Sequence, residues 1–246
     1  MGIRFRSPSA AEEKRKEKCL ALMTEDRQQL LIRWPFLGSI IIRMDLVPVR
    51  DDRLKTICTD GNKIFADIDF YMALEKNKRV YMLAHEIWHC ALLHIFRRQS
   101  RDRKLFDAAS DIEVYFALKG DKFRIADVPP HDPSWEGLSA EEIYEKLVKM
   151  EPKKFSPDLH FYKNDAVPAE QELCRAQAAD GEMVLDENFE PNAKSETVEQ
   201  IRGRVVASAQ QLERTQGKLP GAISSLLKKL QKPELPWQEL LSLSCS

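Results

Sequence analysis

The spacing of apolar positions divides the chain into a series of elements. From about Ser9 to Arg33, apolar residues fall at Leu20, Met23, Leu30 and Leu31 among dense charge. This is the pattern of a surface helix with EEKRKEK on its solvated face and Trp34-Pro35 closing it. SIIIRMDLVPV sets Ile40, Ile42, Met44 and Leu46 against Arg43 and Asp45, and predicts a half-exposed strand ended by Pro48. LKTICTDGNKIFADI is two short β-type runs around Asp60-Gly61, a hairpin signal. Val80 to Arg98 is apolar almost all round and predicts one buried helix, followed by a second from about Asp102 to Leu118. DVPPHDPSW is a loop, and in GLSAEEIYEKL the pair Ser139 and Glu142 forms a capping box for a short helix. Met150 to about Ser195 is rich in Pro, Asp, Glu and Asn without periodicity and reads as an extended or partly disordered insertion. Val198, Ile201, Val205, Ala209 and Leu212 then lie on one helical stripe, and AISSLLKKLQ continues in the same style. No internal repeat is present. The expected fold class is α+β: a small N-terminal β-sheet against a buried helix, with a mainly helical C-terminal part. The expected organisation is a core over 1–150, a Pro-rich, acidic loop over 151–195 and a helical segment over 196–246.

Composition narrows the functional classes. At 246 residues the chain can bury a core without disulfide or metal support. Lys plus Arg number 38 against 39 Asp plus Glu, so no positive field calls for nucleic acid or a membrane surface as partner. Five scattered cysteines with no C-x-x-C pair read as reduced thiols and suit a cytoplasmic protein. The start MGIRFRSPSAAEEKRKEK lacks the apolar run of a signal peptide, and Arg6 makes it a poor myristoylation signal.

The chemistry is concentrated in LAHEIWHCALLH, Leu83 to His94, which holds three of the five histidines. Residues four apart on a helix differ by about 40° in azimuth, so His85 and His89 project from one face and are able to share a metal ion. Glu86 lies about 100° from His85, near enough to act on a water beside that ion. This is the H-E-x-x-H arrangement of zinc peptidases, with Zn2+ as cofactor, His85 and His89 as ligands and Glu86 as the base. His94, five residues past His89, would project about 140° away on a continuous helix. It is therefore expected to be a buried histidine bonded to a neighbouring carbonyl or carboxylate. Families that use a third histidine break the helix at a glycine three residues after the second; here that position is Leu92.

The third ligand should come from the next helix, where Asp107, Asp111 and Glu113 are candidates. Asp111 and Glu113 are about 200° apart, so at most one of them faces the metal. Asp111 is favoured because Ala108, Ala109 and Ser110 let the two helices approach closely, with Glu113 as the alternative. Asp107 suits a role holding a histidine tautomer.

In order along the chain, TDGNKIFADIDF, LAHEIWHCALLHIFRR, LFDAASDIEVY, GLSAEEIYEKL and PELPWQELL resemble the VWA-like putative metallopeptidase family of bacteria, whose members are often encoded beside MoxR-type AAA ATPases. The resemblance implies a zincin-like fold in which a sheet edge aligns a peptide above the metal-binding helix. It also implies His85 and His89 as ligands, Glu86 as base and Asp111 as the acidic residue of the Ala-Ala-Asp segment, which here reads Ala-Ser-Asp. The family often has Asn where this chain has Tyr115. No Asp-x-Ser-x-Ser sequence of a von Willebrand A-like domain is present. The implied partners are a protein or peptide substrate and an AAA ATPase or VWA-domain protein. The expected activity is zinc-dependent endopeptidase; its rival is a zinc-stabilised adaptor that no longer cleaves. Tyr115, His131, Tyr144 and His160 are the candidates to stabilise an oxyanion.

Overall fold

The computed structural model describes residues 3–123, 131–150, 183–192, 196–217, 219, 223–224 and 226–228. Helix α1 (Ala10–Arg33) starts at a capping box formed by Ser9 and Glu12 and buries Cys19, Met23 and Leu30. The strand expected over Ile40 to Leu46 is a correction. Helix α2 (Pro35–Ile41) comes first, and strand β2 (Asp45–Val49) only begins after it. Pro35 sits at the first turn, where its missing N–H costs nothing. Phe36, Leu37, Ile40 and Ile41, all buried, recur at helical rather than alternating spacing. Gly38 is required by contact: a Cβ there would stand 2.5 Å from Leu31 Cα. Pro48 lies inside β2, at the edge of its sheet, where a ladder tolerates the lost donor.

The hairpin forms as the sequence predicts, with β3 (Ile57–Thr59) antiparallel to β4 (Lys63–Asp67). Gly61 at φ +91 makes the turn. Strand β4 is central, paired in parallel with β2 on its other side, so the order is β2-β4-β3. Asp67 then caps helix α3 (Ile68–Ala73) by accepting from the Phe70 amide. A separate parallel pair joins β1 (Ile3–Arg6) to β5 (Met183–Asp186), the latter within the stretch expected to be an insertion. Asp186 anchors it by accepting from the Arg50 amide at 2.9 Å and the Lys16 ammonium at 2.7 Å.

Helix α4 (Lys76–Ala91) runs through the centre of the core, packed on α1, α2 and β3. It also packs on α6 (Arg103–Gly120) and α8 (Val198–Gln216). Between α4 and α6 lies the short α5 (His94–Arg97), and α7 (Ala140–Val148) covers the far side of α6 behind the capping box of Ser139 and Glu142. Among the described residues no helix is long and apolar enough to cross a membrane.

Two buried polar contacts fix the ends of α4. At its start, Asp26 of α1 accepts from Arg79 Nε at 2.6 Å and from the Tyr71 hydroxyl at 2.9 Å. Asp26→Ala would strand the Arg79 guanidinium in the core and should cost about 3–5 kcal/mol, read by urea denaturation. Nearer its end, Trp88 Nε1 donates to Asp121 Oδ2 at 3.0 Å.

Burial pushes the Asp121 carboxyl up from 3.8 to about 6, against the pull of that Trp88 bond. The folded chain therefore retains a proton that the unfolded chain has released, and ionisation lowers stability as pH rises through this window. Asp121→Asn keeps an acceptor for Trp88 but has no charge to desolvate. It should raise stability at neutral pH by about 1–3 kcal/mol, a gain that vanishes below about pH 4 in a pH series of melts.

Candidate metal centre

Helix α4 presents His85 and His89 on successive turns with their Nε2 atoms 2.9 Å apart. Helix α6 packs beside it through Val114, Ala117 and Leu118, while Ala108 and Ala109 join Ala140, Ile143 and Leu147 of α7 in a separate cluster. Asp111 is thereby delivered with Oδ1 3.4 Å from His85 Nε2 and 3.3 Å from His89 Nε2. These three ligand atoms all lie within 4.8 Å of one another, a group able to hold a metal ion. The donor set fits zinc. Ligand bonds of about 2.0–2.1 Å in tetrahedral array place neighbouring donor atoms about 3.3 Å apart, close to the separations seen. Two unprotonated ring nitrogens at such a distance repel, and a cation between them removes the repulsion. The His85 and His89 side chains are 7% and 0% exposed and Asp111 is 22% exposed, so solvent meets the group from the Asp111 side.

Glu86, one residue after the first histidine, is fully buried on α4. Cys90, one turn further on the same face, has its Sγ 3.5 Å from Thr59 Oγ1 and so marks the side of α4 turned to β3. Burial, with the nearby Glu86 charge adding to it against the Thr59 bond, pushes the Cys90 thiol up to about 12. Strand β3, one edge of the sheet, is buried along its whole length, while the other edge, β2, is exposed at Asp45 and half-buried at Leu46 and Val47.

A family model described as a putative metallopeptidase domain matches residues 14–244. The chain belongs to this family. No curated protein and no solved structure matches it.

The helix expected to run unbroken from Val80 to Arg98 stops at Ala91. Leu93 adopts φ +59, a left-handed conformation, and α5 starts in a new direction. The break falls one residue later than the glycine position used by three-histidine families, and it carries His94 behind His89 rather than to the ligand side. His94 Nδ1 stands 2.9 Å from His89 Nδ1, and His94 Nε2 stands 3.0 Å from Glu113 Oε2. The sequence predicts a buried His94 bonded to a neighbouring carbonyl or carboxylate; the group beside it is the Glu113 carboxylate. Glu113, the alternative third ligand, is thus turned to His94. It also accepts from the Ala140 amide at 2.7 Å and from Arg97 Nη2 at 3.3 Å. Asp107 is buried one turn before Asp111, with Arg103 Nε 3.9 Å from it.

Of the four oxyanion candidates, two lie near Asp111. Tyr115, one turn along α6, meets the His131 ring edge-on at 4.8 Å between centroids. Burial lowers the His131 pKa, and the Asp111 charge pulls it partly back. The Tyr144 hydroxyl is engaged elsewhere, accepting from the Asp102 amide at 3.1 Å at the start of α6. His160 lies outside the described residues.

Zinc retained after dialysis against a weak chelator should fall from about one per chain to near zero in His85→Ala and His89→Ala, because a three-ligand site loses most of its affinity with one imidazole. Asp111→Asn should weaken binding far more than Glu113→Gln, since only Asp111 faces the histidine pair. Plasma emission on dialysed samples would check both.

Proposed function

We propose that this metallopeptidase domain is a zinc-dependent endopeptidase of zincin-like build, with His85, His89 and Asp111 as ligands and Glu86 as general base. The observation that carries the reading is the convergence of the three donor atoms on the helix that also buries Glu86. Zinc held there would supply a Lewis acid that polarises a peptide carbonyl and acidifies water towards a pKa of about 7. Glu86 accepts the proton of the attacking water and returns it to the amine that leaves, so the proton count balances over a turnover. Burial in the core keeps bulk water from Glu86, while the side beside Asp111 admits the substrate. We assign His131 and Tyr115 to steady the charge that develops on the carbonyl oxygen, as they stand on that side.

Glutamine in place of Glu86 keeps the shape and hydrogen-bonds water, yet it cannot take a proton at neutral pH. Glu86→Gln should therefore keep zinc and fold while hydrolysis falls by about 10² to 10⁴. The measurement compares wild type and Glu86→Gln for fragments of co-expressed genomic neighbours, of a mixed peptide library and of the chain itself. Identical fragment patterns with equal zinc would replace the enzyme by the adaptor, leaving His85 and His89 as a structural site.

A further inference from the structure

Behind the candidate metal centre, on the side away from Asp111, a buried chain of hydrogen bonds begins at His89. Its Nδ1 and the Nδ1 of His94 are 2.9 Å apart, and the two residues are 0% and 1% exposed. Two ring nitrogens share a hydrogen bond only when one of them carries the hydrogen. If Nε2 of His89 uses its lone pair on a cation, the hydrogen of that ring sits on Nδ1, and His94 Nδ1 must accept it. The hydrogen of neutral His94 is then on Nε2, where Glu113 Oε2 accepts it at 3.0 Å. One arrangement of protons satisfies every link.

Glu113 is itself held. The Ala140 amide at the start of α7 and Arg97 Nη2 both donate to the same Oε2. Arg97 donates as well to the Leu92 carbonyl at 2.8 Å, beside the helix break, and through Nε and Nη2 to both carboxylate oxygens of Glu141 on α7. Leu93 keeps a left-handed backbone that residues with a side chain rarely adopt, and this turn is what brings His94 back against His89.

We propose that His94 is a positioning residue. It fixes the tautomer and ring angle of His89 for the metal, and Glu113, Arg97 and the start of α7 hold it in that role. The proposal rests on the zinc reading of His85, His89 and Asp111 and adds to it the device that orients one ligand.

The test compares His94→Leu, which keeps bulk but removes both hydrogen-bonding atoms, with His94→Gln, whose amide has one acceptor and one donor to replace them. Zinc affinity is measured on the full chain by competition with a chromophoric chelator. Cobalt-loaded protein gives an absorption spectrum sensitive to ligand angle, and melting of the metal-free protein reports on the fold. Zinc affinity in His94→Leu should drop about 10–100-fold with a changed cobalt spectrum, and His94→Gln should recover most of both. Equal zinc affinity and unchanged cobalt spectra in the two variants would overturn the proposal, whatever happens to the melting temperature. Should His94→Leu fail to fold, His94→Asn takes its place, because the shorter amide cannot span from His89 to Glu113. Affinity equal to that of His94→Gln would then be the overturning result. Wild-type zinc binding that disappears in His89→Ala but ignores the His94 variants removes this inference alone. Wild-type protein that binds no zinc removes the zinc reading and this inference together.

Discussion

A helix that carries two imidazoles and a carboxylate through an apolar core must be given partners for them, because a buried polar group without one costs about 1–3 kcal/mol. Helix α4 imposes this constraint with His85, Glu86 and His89, all buried. The surrounding elements are arranged around it. Helix α6 brings Asp111 up to the two histidines, and the chain turns back at Leu93 to set His94 against His89. The ion pair of Asp26 with Arg79 fixes the other end of α4, so that the histidines are presented from a helix clamped at both ends.

The centre is therefore asymmetric. On one side Asp111, Tyr115 and His131 stand near solvent, and that side is where a substrate and a metal ion would enter. On the other, buried His94 and Glu113 are hydrogen-bonded, and Arg97 ties them to α7. In the proposed enzyme, exchange and orientation would be handled by different faces of the same helix pair. A substitution that opens the first face need not loosen the second.

The sequence made some of this legible because some constraints are local. The four-residue spacing of His85 and His89 is a property of one helix, and the capping boxes at Ser9 and Ser139 are read within four residues. Helical azimuth lets only one of Asp111 and Glu113 face the histidines, and the small residues before Asp111 together with the resemblance favour Asp111. The remaining features depend on contacts between distant segments. Ile40, Ile42, Met44 and Leu46 alternate by accident, whereas Phe36, Leu37, Ile40 and Ile41 recur at helical spacing behind Pro35 and are the positions that the core buries. The break at Leu93 carries no glycine or proline to announce it, so the partner of His94 could not be found from spacing. Strands β1 and β5 are four residues each and lie far apart in the chain; Ile3 to Arg6 alternates apolar and charged residues but over too few positions to stand out, and Met183 to Asp186 does not alternate.

That last pair has a kinetic side. Ile3 is in register with Met183, so the pairing closes a loop of about 180 residues, for which chain entropy alone costs about 4–5 kcal/mol. The hairpin of β3 and β4 and the packing of α4, α6 and α7 involve far shorter separations and meet much smaller entropic barriers. Folding should accordingly assemble the histidine helix and its neighbours early and join the two chain-distant strands late. During synthesis on the ribosome, the segment that bears the metal ligands would then be organised before β5 has emerged.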